Sequence, residues 1–80
     1  MPATRPTVGM SPDRGMRLIR DAIALVASGA SPRVVVAGIG PGEMLIGSAR
    51  RLALEAGVRA RPLWHRDGSG ADISVERIRV

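Results

Sequence analysis

Residues 33–57 read RVVVAGIGPGEMLIGSARRLALEAG, and this stretch decides the fold. β-Branched residues over Arg33–Gly38 predict a strand, and the glycines and proline at 38–42 predict a tight turn. Apolar residues then recur at helical spacing as far as Gly57, a typical C-terminal cap. The order is therefore strand, loop and helix. A glycine loop of this kind can serve an anion, a partner or only the turn, so it does not state a function.

A short strand and a first helix are predicted before this unit. Arg5–Met10 is typical of a short strand, which Pro6 restricts to a sheet edge or a strand start. The sequence Ser11-Pro12-Asp13 favours a helix start, and the helix continues on a wide apolar face to Ala27. Residues 1–5 are expected to form a flexible tail.

A β-hairpin is predicted after the second helix. Val58–His65 alternates as a strand, Asp67–Gly70 is a turn, and Asp72–Val80 is the returning strand. The alternation slips near Glu76, where a bulge would reconcile the two halves of that strand. The full order β-α-β-α-β-β predicts an α/β (α+β) fold, a two-layer sandwich of two helices on one four-stranded mixed sheet, in a single domain over residues 1–80.

Length and composition limit the class of protein. A chain of 80 residues buries only about 60% of its unfolded surface, so a homodimer is expected to supplement a marginal core. The absence of cysteine excludes disulfides and thiolate metal sites. No apolar run reaches the roughly 18–20 residues that span a membrane, and Met1–Met10 lacks the apolar core of a signal peptide. We expect a cytoplasmic protein with no membrane partner.

The charge balance favours a polyanionic partner. The formal net charge is +5, which fits nucleic acid. All twelve basic residues are arginine, however, and this composition is equally typical of the coding bias of a GC-rich genome. Both interpretations remain open.

The sequence offers no catalytic or metal-binding constellation. His65 is the only histidine and has no cysteine near it, so a solvent-facing strand histidine is favoured over a metal ligand. Ser48 and Ser69 have no evident base, and Asp67 and Asp72 resemble turn residues. A non-enzyme without cofactor, metal or small-molecule substrate is predicted.

The glycine loop has two possible roles. Gly38, Gly40 and Gly42 precede a helix and could present backbone N–H groups to a phosphate. Glu43 stands where the dinucleotide-binding fingerprint requires its third glycine, and Pro41 removes a donor. A structural turn or a macromolecular contact is favoured over a nucleotide site.

Arginines are the candidate nucleic-acid-binding residues. They recur with period two on both hairpin strands, which predicts a basic ribbon, and one more lies near the first loop. The alternative is a solvated face with acids interleaved. The candidates are Arg14, Arg59, Arg61, Arg66, Arg77 and Arg79. The near absence of aromatic residues argues against a binder that stacks single-stranded bases.

A second hypothesis is a protein-interaction or assembly module with no affinity for nucleic acid. Met44 and Leu54 lie off the apolar stripe of the second helix, and Trp64 is the only aromatic residue. These three residues are the candidate interface.

The chain also resembles a known family. The stretches VGMSPDRGMRLIRDAIALVASGAS (8–31), RVVVAGIGPGEMLIGSARRLALEAGV (33–58) and ADISVERIRV (71–80) resemble the Alba superfamily of chromatin and RNA-binding proteins, and most closely its stage V sporulation protein S branch. The resemblance implies a homodimer that binds DNA or RNA through Ser11–Arg14, Gly38–Glu43 and roughly Arg61–Asp72. The first two segments lack the lysines that Alba proteins place there.

Overall fold

The computed structural model describes residues 12–39 and 43–78, and gives the backbone alone for Pro12, Ile39, Glu43 and Met44. Two helices and three strands follow one another along these residues. They are α1 (Pro12–Ala27), β1 (Arg33–Ile39), α2 (Glu43–Glu55), β2 (Val58–Trp64) and β3 (Ala71–Arg77). The predicted first strand and tail, over residues 1–10, lie outside the described residues.

The sheet has the strand order β1-β3-β2, and both pairings are antiparallel. The predicted four-stranded mixed sheet is therefore wrong: the described residues form a three-stranded antiparallel sheet. The physical reason is that the last strand inserts between the other two, so every neighbouring pair runs in opposite directions. Its central position explains why Ile73, Ser74 and Val75 are all buried, whereas the flanking strands expose alternate residues.

The predicted bulge near Glu76 is also wrong. The pairing of β2 with β3 is continuous from Val58–Arg77 to Trp64–Ala71. The irregularity lies in β1 between Val36 and Ile39, where Gly38 has a φ of 79°. Ile78, which motivated the bulge, follows the strand and is 47% exposed, so the helix-facing side of β3 does not have to include it.

Both helices cover one face of the sheet. The buried apolar residues come from α1 (Ile19, Ala22, Ile23, Val26), α2 (Ile46, Ala49, Ala53) and the strands (Val36, Val58, Ala60, Ile73, Val75). The fully buried Ala49 and Ala53 have small side chains, which let α2 approach the sheet closely. The opposite face of the sheet carries no helix from the described part of the chain.

Short connections fix the direction of each helix. Only Ala56 and Gly57 separate α2 from β2, and residues 28–32 separate α1 from β1, so each helix runs antiparallel to the strand that follows it. The starts of both helices therefore lie at the end of the sheet that carries the turn 65–70, which we call the hairpin end. Neither of these two described helices is long and apolar enough to cross a membrane.

Candidate nucleic-acid interface

Polar side chains cluster on the face of the sheet that the helices leave uncovered. Arg33 of β1 and Arg59 of β2 lie directly opposite Glu76 of the central strand, one on each side. Two residues further along β2, Arg61 lies opposite Ser74, and this pair is on the same face of the sheet as Arg59 and Glu76. Because residues opposite one another in a sheet point to the same face, these five side chains form one group, which we call the arginine face.

The Glu76 carboxylate is the centre of this group. Oε2 accepts hydrogen bonds from Arg59 Nη2 at 2.8 Å and from Arg61 Nε at 3.1 Å. Oε1 lies 3.8 Å from Arg33 Nε. The hydrogen bond from Arg59, followed by the charges of Arg61 and Arg59, holds the pKa of Glu76 below its ordinary value. Glu76 therefore stays ionised and pairs with three guanidinium groups at neutral pH.

Ser74 supports the arrangement from within the sheet. Its side chain is fully buried, yet its hydroxyl accepts a bond from Arg33 Nε at 2.9 Å and donates one to Glu76 Oε1 at 3.3 Å. Because this buried hydroxyl both accepts and donates a hydrogen bond, its burial avoids the free-energy cost of an unsatisfied polar group. Ser74 thus fixes the relative positions of Arg33 and Glu76.

The arginine face carries a surplus of positive charge. The side chains of Arg33, Arg59 and Arg61 are 49%, 58% and 50% exposed, against 16% for Glu76. Three positive charges against one negative charge leave a local net charge of +2. The acid is turned inward and the guanidinium groups reach solvent, so an incoming anion meets the cations first.

The predicted ribbon along both hairpin strands is wrong at Arg77. Arg77 lies opposite Val58, a core residue, and so belongs to the other parity of the sheet from Arg59. Its guanidinium Nη2 donates to the carbonyl oxygen of Gly29 at 3.2 Å, in the connection between α1 and β1. Arg79 lies outside the described residues.

The remaining predicted arginines lie away from this cluster. Arg66 is exposed in the hairpin turn, directly after β2, and Arg14 is exposed in the first turn of α1. Both are at the hairpin end, whereas Arg33 and Arg59 lie at the starts of their strands, within two residues of the opposite end. The structure therefore unites Arg59 and Arg61 with Arg33 and separates them from Arg14 and Arg66.

The described part of the glycine loop already uses its donor. The Gly38 backbone N–H is bonded to Asp72 Oδ1 at 3.3 Å, and Gly38 adopts the left-handed conformation that favours glycine. Gly40 and Gly42 lie outside the described residues. Gly38 thus joins the loop to β3 instead of offering its N–H to a phosphate.

His65 differs from the predicted solvent-facing strand histidine, because it directly follows β2, is half-buried and is hydrogen-bonded through both ring nitrogens. Its Nε2 lies 2.9 Å from Asp72 Oδ1, and its Nδ1 lies 3.1 Å from the Ser69 hydroxyl. The hydrogen bond with His65 is the main cause that lowers the pKa of Asp72. Sequence reasoning missed this group because the turn, not the sequence spacing, brings residues 65 and 72 together.

The Ser69–His65–Asp72 contacts hold the hairpin turn in place. Ser69 is exposed in the turn, and its backbone N–H donates to Asp67 Oδ1 at 2.9 Å, which lowers the pKa of Asp67. In a serine hydrolase the hydroxyl lies beside a pocket with preorganised donors for an oxyanion. Here the serine N–H is committed to the turn, so the geometry supports a structural role.

Of the three predicted interface residues, the two with described side chains, Leu54 and Trp64, do not form one patch. Leu54 and Trp64 are 65% and 57% exposed. Leu54 is near the end of α2 that leads into β2, and Trp64 ends β2, so they lie about 20 Å apart along these antiparallel elements. The Met44 side chain is not among those described.

Arg33, Ser74 and Glu76 are the residues that sequence reasoning left out of the site. The signal for two of them is the alternation of Asp72, Ser74 and Glu76, which places three polar residues on one face of a strand. Interpreting it requires the knowledge that this strand is central. Comparison with known proteins gives no match to any family model, curated protein or solved structure.

Proposed function

We propose that this protein binds nucleic acid through the arginine face, by contacts with phosphates that do not depend on base sequence. The observation that carries the proposal is the convergence of Arg33, Arg59 and Arg61 on a single inward-turned carboxylate. Guanidinium groups match phosphate geometry with pairs of parallel hydrogen bonds. Each arginine commits one nitrogen to Glu76 or Ser74, and further donors of each remain for a ligand.

Preorganisation strengthens such a site. A free arginine side chain loses up to about 2 kcal/mol of rotamer freedom when it is fixed. The bonds to Glu76 and Ser74 restrict these side chains before any ligand arrives, so less entropy is lost on binding. The same bonds explain why a cationic surface contains the acid Glu76: its carboxylate holds the arginine side chains in position.

The path of the ligand follows β2. Arg59 and Arg61 are two residues apart on this strand, about 6.6 Å along the sheet, and Arg66 follows it in the hairpin turn. A phosphate backbone along this line contacts Arg59 and Arg61 in the cluster, and a longer strand reaches Arg66 at the hairpin end. Trp64 has the opposite parity to Arg59 and Arg61, so base stacking on that residue is not part of the proposed mode.

The resemblance to the Alba superfamily adds to the proposal. It implies a homodimer that binds DNA or RNA, and we propose both properties here, together with the cytoplasmic location expected from the sequence. The proposed contacts differ from those that the resemblance implies. The resemblance places them in two loops and the hairpin, whereas the arginine face also includes Arg33 at the start of β1.

The test is equilibrium binding by fluorescence anisotropy, with a labelled duplex DNA and a structured RNA. We expect the double variant Arg59→Gln with Arg61→Gln to bind both ligands at least about tenfold more weakly than the wild type. Arg50→Gln with Arg51→Gln is the control, because both arginines are exposed on α2 and lie outside the arginine face, and this variant loses the same charge. Equal loss in the control and the double variant would mean that only net charge matters and that this face is not the site.

A protein-interaction or assembly module is the second candidate. It is favoured by Leu54, Trp64 and Val35, large apolar side chains that are each more than two-fifths exposed. Light scattering after size exclusion separates the two candidates. A particle larger than a dimer that persists at high salt, together with no binding to either nucleic acid, supports the second.

A further inference from the structure

A groove lies at the end of the sheet opposite the hairpin. Its volume is about 570 Å³, within the range of ligand sites. It is lined by Pro32, Arg33, Arg59, Glu76, Arg77 and Ile78. The arginine face supplies one side of the groove, and Arg77 supplies the other.

The three arginines come from three different strands. Arg33 is the first residue of β1, Arg59 is the second residue of β2, and Arg77 ends the central strand. The Arg77 backbone N–H also donates to the Pro32 carbonyl at 3.4 Å, which joins the end of β3 to the residue before β1. The lining of the groove therefore includes an arginine from each of the three strands, so one ligand group in the groove can contact all three.

The charge of the groove matches a particular kind of phosphate. Three arginines and Glu76 give three positive charges against one negative, a net charge of +2. A phosphate monoester carries about −1.5 to −2 at neutral pH, whereas each phosphate within a nucleic-acid backbone carries −1. The groove therefore balances a monoester more closely than it balances a backbone phosphate.

Each cation in the groove has a fixed position. Arg33 is bonded to the buried Ser74, Arg59 to Glu76, and Arg77 to the Gly29 carbonyl. Pro32 and Ile78 add apolar walls, against which the sugar or base attached to the phosphate can pack. A site with ordered donors and an apolar border is the arrangement expected for a small ligand that carries one phosphate.

We infer that this groove binds a phosphate monoester, either at the 5′ terminus of a nucleic-acid strand or on a free nucleotide. The first source rests on the proposed function, and the second does not. Arg77, which the arginine face does not include, is the residue that distinguishes this site from general phosphate contact.

Two pairs of probes separate the sources. The first pair is a 3′-labelled single strand of about 12 nucleotides with a 5′-phosphate and the same strand with a 5′-hydroxyl, compared by anisotropy. The second pair is adenosine 5′-monophosphate and adenosine, compared by the shift in melting temperature. We expect the phosphorylated member of at least one pair to bind about tenfold more tightly, a difference that a site of this charge supplies.

Variants show whether the groove residues produce the preference for the phosphorylated ligand. Arg77→Gln and, separately, Arg33→Gln should abolish it, while Arg50→Gln on α2 should leave it unchanged. Two variants in different strands keep the test decisive if one of them folds poorly, and circular dichroism checks each.

The outcomes are distinct for the two proposals. A preference confined to the strands assigns strand termini, and one confined to the free nucleotide assigns a small ligand. Equal binding of both strands with no effect of the nucleotide overturns this inference but leaves the proposed function intact. A preference that survives both Arg77→Gln and Arg33→Gln also overturns it, because the site would then lie elsewhere.

Discussion

At the scale of the residue, Glu76 and Ser74 show how a cationic surface can be held in order. Glu76 is only 16% exposed and accepts from two guanidinium groups, and Ser74 is buried beneath them. An exposed ion pair contributes at most about 1 kcal/mol. The main effect of Glu76 and Ser74 is therefore to fix the positions of the arginine side chains, and their effect on the stability of the fold is smaller.

Removal of the Ser74 hydroxyl should destabilise the fold. In Ser74→Ala, Arg33 Nε and Glu76 Oε1 lose a buried partner, which costs about 1 kcal/mol. The measurement is the urea midpoint, and the control is Ser48→Ala, since Ser48 is exposed on α2. An unchanged midpoint in Ser74→Ala would show that water replaces the hydroxyl at no cost.

Stability should fall in acid because of Glu76. Its pKa is lower in the folded state than its ordinary value of 4.5, so its contribution is complete above pH 4.5 and is lost as the pH falls through the folded pKa. Asp72, whose pKa is lowered from 3.8, adds a loss at lower pH. We expect the melting temperature of the wild type to fall more steeply below about pH 4.5 than that of Glu76→Gln. Parallel curves for the two proteins would contradict this account of the ion pairs.

At the scale of the element, local sequence patterns determine where the helices and strands lie along the chain. They do not determine which strands lie next to one another in the sheet. The helix start at Pro12, the strand from Arg33 and the glycine ends of both helices follow from spacing and from residues such as Gly29 and Gly57, at φ 86° and 81°. The strand order does not follow from local patterns. It depends on which strand buries both faces, and the three consecutive buried residues of β3 reveal this only in the folded chain.

Gly47 offers a test of the helix argument. It lies inside α2, where glycine costs about 1 kcal/mol relative to alanine, and a Cβ atom added there would meet nothing within 4 Å. Gly47→Ala should therefore raise the free energy of unfolding by about 1 kcal/mol. Gly57→Ala provides the contrast: its Cβ also meets nothing, but its φ of 81° strains an alanine, so this variant should be destabilised. Stabilisation by both changes would contradict the assigned backbone at Gly57.

At the scale of the whole molecule, the site is a product of the strand order. The repeat of Arg59 and Arg61 on one face is visible in the sequence, and the structure confirms that they share a face. Arg33 is 26 residues away from Arg59 and joins them only because β3 lies between β1 and β2. Arg77 points to the other face because β3 has no bulge and Arg77 directly follows Glu76, so the predicted ribbon is replaced by a cluster with a groove at its end.

The most direct test of the central claim is the salt dependence of nucleic-acid binding. The logarithm of the affinity for duplex DNA should fall linearly with the logarithm of salt concentration between about 50 and 200 mM, with a slope of about −0.9 per tenfold rise in salt for each phosphate contact. A folded triple variant, Arg33→Gln with Arg59→Gln and Arg61→Gln, should show a slope that is smaller by about 0.9 for each contact removed. An identical slope in the wild type and the triple variant, or no binding by the wild type at the lower salt concentration, would contradict the assignment of the arginine face as the nucleic-acid-binding surface.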